Sequence, residues 1–169
     1  LEMAVAAADF WDLGTPRHVG YSEWIVRKIV APDELRAELE ARELNMRRRV
    51  EKVAGDLDAL ADSLSRLDPH AATADARQAD RLRTERGLED VRQARGELRS
   101  VASALAEIRD EGVDNRVLSD EARSRLESGV ISPLTQLAEQ QGTELADRLE
   151  SLRSKLEAGD ASLGEARDA

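Results

Sequence analysis

The chain has no cysteine, so disulfides and thiolate metal sites are excluded, and cysteine usage leaves its redox compartment open. Aromatic residues are nearly missing, at 2% of 169 residues, and all four (Phe10, Trp11, Tyr21 and Trp24) precede residue 25. A compact globular core draws much of its buried area from aromatics, whereas long bundles fill narrow seams with Leu and Ala. Only four prolines are present, and no apolar run approaches the roughly 20 residues needed to span a bilayer. No secretory signal pattern is present. The net charge of −10 lacks the cationic surplus that phosphate backbones and anionic lipid select. We therefore expect neither nucleic-acid binding nor direct membrane insertion.

What is present is 36% charged residues and 41% apolar residues, mostly Ala, Leu and Val. That is the composition of long helices. The first 30 residues differ from the rest. Gly14 to Gly20 carries a turn signal, and Tyr21 to Val30 is β-branched and aromatic with rough alternation, which predicts a strand over 21–30. A lone strand must pair, either with the 3–13 segment or with a sheet elsewhere. The chain opens Leu1-Glu2-Met3, which we take as a piece of something larger.

From Ala31 the apolar period lengthens to about three and a half. Pro32, Asp33 and Glu34 suit a helix start. The first ladder is Leu35, Leu39, Met46, Val50, Val53, Leu57, Leu60, Leu64 and Leu67, interrupted at Arg42; Pro69 ends it. The second begins near Ala74 with a charged, solvated stretch (Asp75 to Arg86, with Leu82 and Leu88 apolar). It strengthens through Val91, Ala94, Leu98, Val101, Leu105 and Ile108, and Gly112 is expected to stop it. Ser119 is an N-cap for the third ladder: Leu126, Val130, Leu134, Leu137, Leu145, Leu149, Leu152 and Leu156. Pro133 inside that ladder predicts a kink or break, and Gly159 a stop.

The expected fold is mostly α: an antiparallel three-helix coiled-coil bundle of spectrin-repeat-like proportions, preceded by one short strand. Its segments are 1–30 (the end of a β domain or a linker), 31–157 (helices about 32–67, 74–110 and 119–157) and a frayed tail, 158–169. The rival is a helical hairpin that completes its core by dimerising.

Chemistry-bearing groupings are sparse. His18 and His70 each lie in an expected loop, far apart and without clustered ligands, so neither a catalytic triad nor a metal site is expected. Carboxylates such as Glu38, four residues before Arg42, fit a solvated helix face. The acidic stretch Asp110 to Asn115 does not follow a calcium-loop pattern, and the triplet Arg47-Arg48-Arg49 is flanked by Glu43 and Glu51. We expect no enzyme activity and no cofactor. One binding patch is expected. The weak start of the second helix leaves Leu35, Leu39 and Met46 under-covered, as candidates for an exposed groove that takes a partner helix or a second copy.

Five short stretches carry a resemblance: Pro16 to Glu23, Ile29 to Leu35, Asn115-Arg116-Val117, Arg125-Leu126 and Val130 to Leu134. Together they resemble, over about residues 15–155, the distal helical region of a family of large bacterial membrane-anchored proteins with preceding β-sandwich-type domains. The resemblance implies that the strand at 21–30 ends a preceding domain. It also implies an extracytoplasmic, membrane-tethered parent, and Pro133 as a regular feature of the third helix. It transfers no functional residue. The expected function is a structural or scaffolding coiled-coil module of an envelope-associated protein, with a protein-binding helical groove as the alternative.

Overall fold

A computed structural model describes residues 2–8, 19–26, 29–68 and 73–168. The chain is mostly helical and divides into two units, Leu1–Leu35 and Arg36–Ala169.

The first unit holds a narrow β ribbon. Strands β1 (Glu2–Met3) and β4 (Ile25–Val26) pair antiparallel, as do β2 (Ala6–Ala8) and β3 (Val19–Tyr21). Met3 faces Ile25 and Ala6 faces Tyr21, so three steps on one side meet four on the other. The extra residue makes a bulge at Ser22–Trp24, where Ser22 N–H donates to Val5 O and Val5 N–H to Ser22 Oγ, both at 2.9 Å. The strand expected over 21–30 is thus two shorter pieces, and its partner is the chain's own residues 2–8. Tyr21, Trp24 and Ile29 are exposed.

In the second unit the helices follow the ladders, with three differences at their ends and turns. Helix α1 (Pro32–Leu64) is followed by a turn at Ser65–Leu67, where Ser65 Oγ and Arg66 Nε both donate to Asp62 O. Helix α2 (Ala74–Asp114) is capped by Thr73, whose Oγ1 accepts Ala76 N–H at 3.2 Å. It runs past Gly112, which is buried in the helix rather than ending it. The stop is Arg116, at φ 57°. Its N–H reaches Val113 O and the N–H of Val117 reaches Gly112 O, both at 2.9 Å, which is the Schellman arrangement. Gly112 is needed for proximity instead: a Cβ there would meet Leu118 Cβ at 3.0 Å and Leu39 Cδ1 at 3.5 Å.

The third segment, 120–168, begins at Ser119, whose Oγ accepts Ala122 N–H at 3.2 Å. It comprises α3 (Asp120–Leu126), a π turn (Glu127–Ile131), α4 (Ser132–Gln136), a second π turn (Leu137–Gln141) and α5 (Gly142–Asp168). No break occurs at Pro133. The wide turn just before it absorbs the missing donor, with Ser132 N–H reaching back five residues to Glu127 O. Each π turn adds one residue, so Ile131 and Ala138 reach the core where Val130 and Leu137 were expected; the latter two are 37% and 41% exposed. Gly159 does not stop α5, whose backbone continues as helix to Asp168.

One apolar cluster joins all three ladders: Leu60 from α1, Leu88 and Val91 from α2, and Ala146 and Leu149 from α5. Beside it Gly87 lets the helices approach closely, since a Cβ there would lie 3.0 Å from Leu60 Cδ1 and 3.4 Å from Leu64 Cδ2. Ion pairs repeat the same order. Arg42 meets Glu111 at 2.5 Å and Arg49 meets Glu97 at 2.6 Å, so positions rise along α1 as they fall along α2. Likewise Arg109 pairs with Glu127 and Arg99 with Glu139.

Candidate functional site

Leu35, Leu39 and Met46 are all buried, at 7%, 6% and 8% exposure, so they do not form the exposed patch expected of them. The reason is the direction of pairing. In an antiparallel hairpin the weak start of α2 faces the end of α1, whereas Leu39 lies beside Gly112 at the end of α2. The strongly apolar half of α2 therefore ends beside Leu39, one of the residues expected to be bare.

The start of α2 is not a solvated stretch either. Asp80 is 2% exposed and Thr84 is fully buried, while Leu82 faces outward. Asp80 accepts Asp68 N–H at 3.1 Å, just after α1, and pairs with Arg83 at 2.5 Å; Thr84 Oγ1 donates to Asp80 O at 2.9 Å. Their spacing held the signal. Stepping back seven residues from Val91, Ala94 and Gly87 lands on Thr84, Gly87 and Asp80.

An apolar groove does exist, one helix face away from the expected patch. It has a volume of about 600 Å³ and runs between α1 and the start of the third segment. Leu44, Met46 and Val50 line one side, Leu126, Val130 and Leu134 the other, and Leu105 of α2 the floor. Leu44 is 48% exposed. Its polar lining is Glu40, Glu43, Arg47 and Glu51, with Arg47 held by Glu51 at 2.8 Å. Burial pushes the Glu43 carboxyl above its ordinary pKa, and the neighbouring Glu40 charge adds to this while Arg125 opposes it. Of the three residues proposed from sequence, Met46 alone lines this groove. The first π turn carries Val130 into its wall.

No family model, curated protein or solved structure matches the chain.

Two further concavities among the described residues are of other kinds. A trough of about 570 Å³ between α1 and α2 is lined by Lys52, Asp56, Asp90 and Glu97 among others, and Lys52 is held there by Asp56 at 2.5 Å. A small cavity of about 40 Å³ lies among Leu67, Asp80, Leu152 and Leu156. Among the described residues no three His, Cys, Asp or Glu are grouped to hold a metal ion, and no helix is long and apolar enough to cross a membrane. His18 and His70 lie outside the described residues.

Proposed function

We propose that the chain is a non-catalytic structural module: an antiparallel three-helix coiled-coil bundle that holds apart, or holds together, the parts of a larger protein. The observation that carries this reading is the shared cluster of Leu60, Leu88, Val91, Ala146 and Leu149, in which each helical ladder covers the other two. Cross-helix ion pairs at several levels support a fixed register. The resemblance of residues 15–155 to a distal helical region supports an envelope-associated, membrane-tethered parent. The decisive experiment replaces 36–157 in the parent with an unrelated antiparallel three-helix bundle of equal length. A spacer survives the exchange. Loss of the parent's function with folding intact overturns the structural reading.

A second reading, a protein-binding module, is favoured by the groove between α1 and the third segment, where Leu44 and Val130 stand exposed above an apolar floor. In the same exchange, function recovered only when Leu44, Val50, Leu126 and Val130 are grafted back favours this second reading.

A further inference from the structure

We propose that the groove between α1 and α3–α4 accepts a single amphipathic partner helix whose polar flank is basic. This rests on the protein-binding reading above and commits it to one chemistry.

The occupant is helical because of the walls. Both sides of the groove are helices whose backbone groups are used internally, so an extended peptide finds no edge to pair with. A helix needs none. From Glu40 to Glu51 the groove spans about 17 Å at 1.5 Å per residue, which is three turns. Leu44, Val50, Leu126 and Val130 then offer flanking contacts for residues at i, i+3, i+4 and i+7 of the incoming helix. The wide turn at Glu127–Ile131 supports the same reading. It sets Val130 outward, and such turns recur where helices bind something.

The sign of the flank follows from the rim. Among the lining residues three carboxylates, Glu40, Glu43 and Glu51, stand against one guanidinium, Arg47, which Glu51 already holds; the charge of Arg125 also reaches Glu43, and the rim remains net negative. Burial and the neighbouring Glu40 charge make Glu43 costly to ionise, a cost that a cation beside it relieves. A second copy is the poorer occupant. Each copy carries a net charge of −10, and a two-fold contact through this groove sets the same acidic rim against itself. Anionic lipid and nucleic acid are repelled for the same reason.

The test is selection of displayed helical peptides, about four turns long, against the intact chain. The apolar face is varied, and the flanks are drawn equally from Lys/Arg and Glu/Asp. Enrichment of Lys/Arg-flanked helices is expected. Their binding should weaken by roughly tenfold or more on Val130→Asp, which puts a carboxylate where the apolar face of the helix must desolvate it, and fall as salt rises. Glu40→Lys with Glu51→Lys, both on the surface, should shift the preference toward acidic flanks while the circular dichroism melt stays put. Enrichment of acidic or neutral helices overturns the charge assignment and leaves the groove as a docking site. No enrichment, binding indifferent to Val130→Asp, or dimers of the chain that Val130→Asp dissociates, overturns the proposal outright.

Discussion

The side chain of Arg95 lies across Gly142: a Cβ on Gly142 would sit 2.5 Å from Arg95 Cγ. The contact exists because of the second π turn. There Gly142 N–H bonds five residues back to Leu137 O, which frees the carbonyl of Ala138. Arg95 Nε donates to that carbonyl at 3.1 Å, and Nη2 donates to Thr143 Oγ1 at 2.7 Å. One arginine of α2 thus satisfies the acceptor that the wide turn releases.

Arg95→Ala should therefore cost about 1–3 kcal/mol, the penalty for an orphaned part-buried acceptor plus the lost bond to Thr143. Gly142→Ala should cost a similar amount by overpacking. The double variant should lose less than the sum, since removing the arginine stem makes room for the new methyl group. Urea denaturation of the four proteins measures this; strict additivity would show that the two residues do not communicate.

Arg116→Gly should stabilise the chain by about 0.5–1 kcal/mol. Arg116 holds φ 57°, where a Cβ crowds the following carbonyl oxygen and glycine does not. The hydrogen bonds from Arg116 and Val117 to Val113 and Gly112 are main-chain and survive the change. Thermal melts should move upward, and a downward shift would give the Arg116 side chain a role of its own.

Asp80→Ala should destabilise by about 1–3 kcal/mol, leaving Asp68 N–H and the Arg83 guanidinium without this buried acceptor. Asp80→Asn, which keeps an acceptor oxygen, should cost less. Limited proteolysis should report earlier cleavage near 65–73 in the alanine variant than in the parent.

Acid should weaken the contacts between helices in a defined window. The hydrogen bond from Arg49 holds the Glu97 carboxyl below its ordinary pKa, and that from Arg99 does the same for Glu139. A carboxylate with a lowered folded pKa contributes stability that is fully present above its unfolded value, about 4.3, and is lost as pH falls through the folded one. Glu97→Gln with Glu139→Gln should flatten the dependence of stability on pH below that value. Both pairs are partly exposed, so the effect is modest and shrinks in high salt. Glu43 runs the other way: its raised pKa makes stability fall as pH rises through the titration, and Glu43→Gln should remove that decline.

The heptad ladders made the helical character legible, and with it most of the seam. Val53, Leu60, Leu88, Val91, Leu98, Leu105 and Leu149 are buried at positions their spacing foretold. What escaped was polar or small. Asp80 and Thr84 occupy heptad positions, but a carboxylate in a charged stretch looks like a solvated one until its donors are seen. Gly112 carried a stop signal, yet its neighbours need its smallness, and a non-glycine residue takes the left-handed turn instead. Pro133 signalled a kink, but a one-residue widening absorbs the missing donor, a solution that periodicity does not anticipate. The groove lies one helix face away from Leu35 and Leu39 because its location depends on which end of α2 meets which end of α1, which spacing within one helix does not encode.

The wide turns at 127–131 and 137–141 also make the third segment unusually tolerant of changes in length. Deleting one residue from an ordinary α-helix rotates everything beyond it by about 100°, which would swing the apolar stripe of α1 or α2 out of its seam. Deleting one residue from either wide turn leaves regular α-helix behind and keeps both flanks facing as they did. Single-residue gaps among sequences of this kind should therefore collect at these two places, as marks of a helix that carries its slack on board.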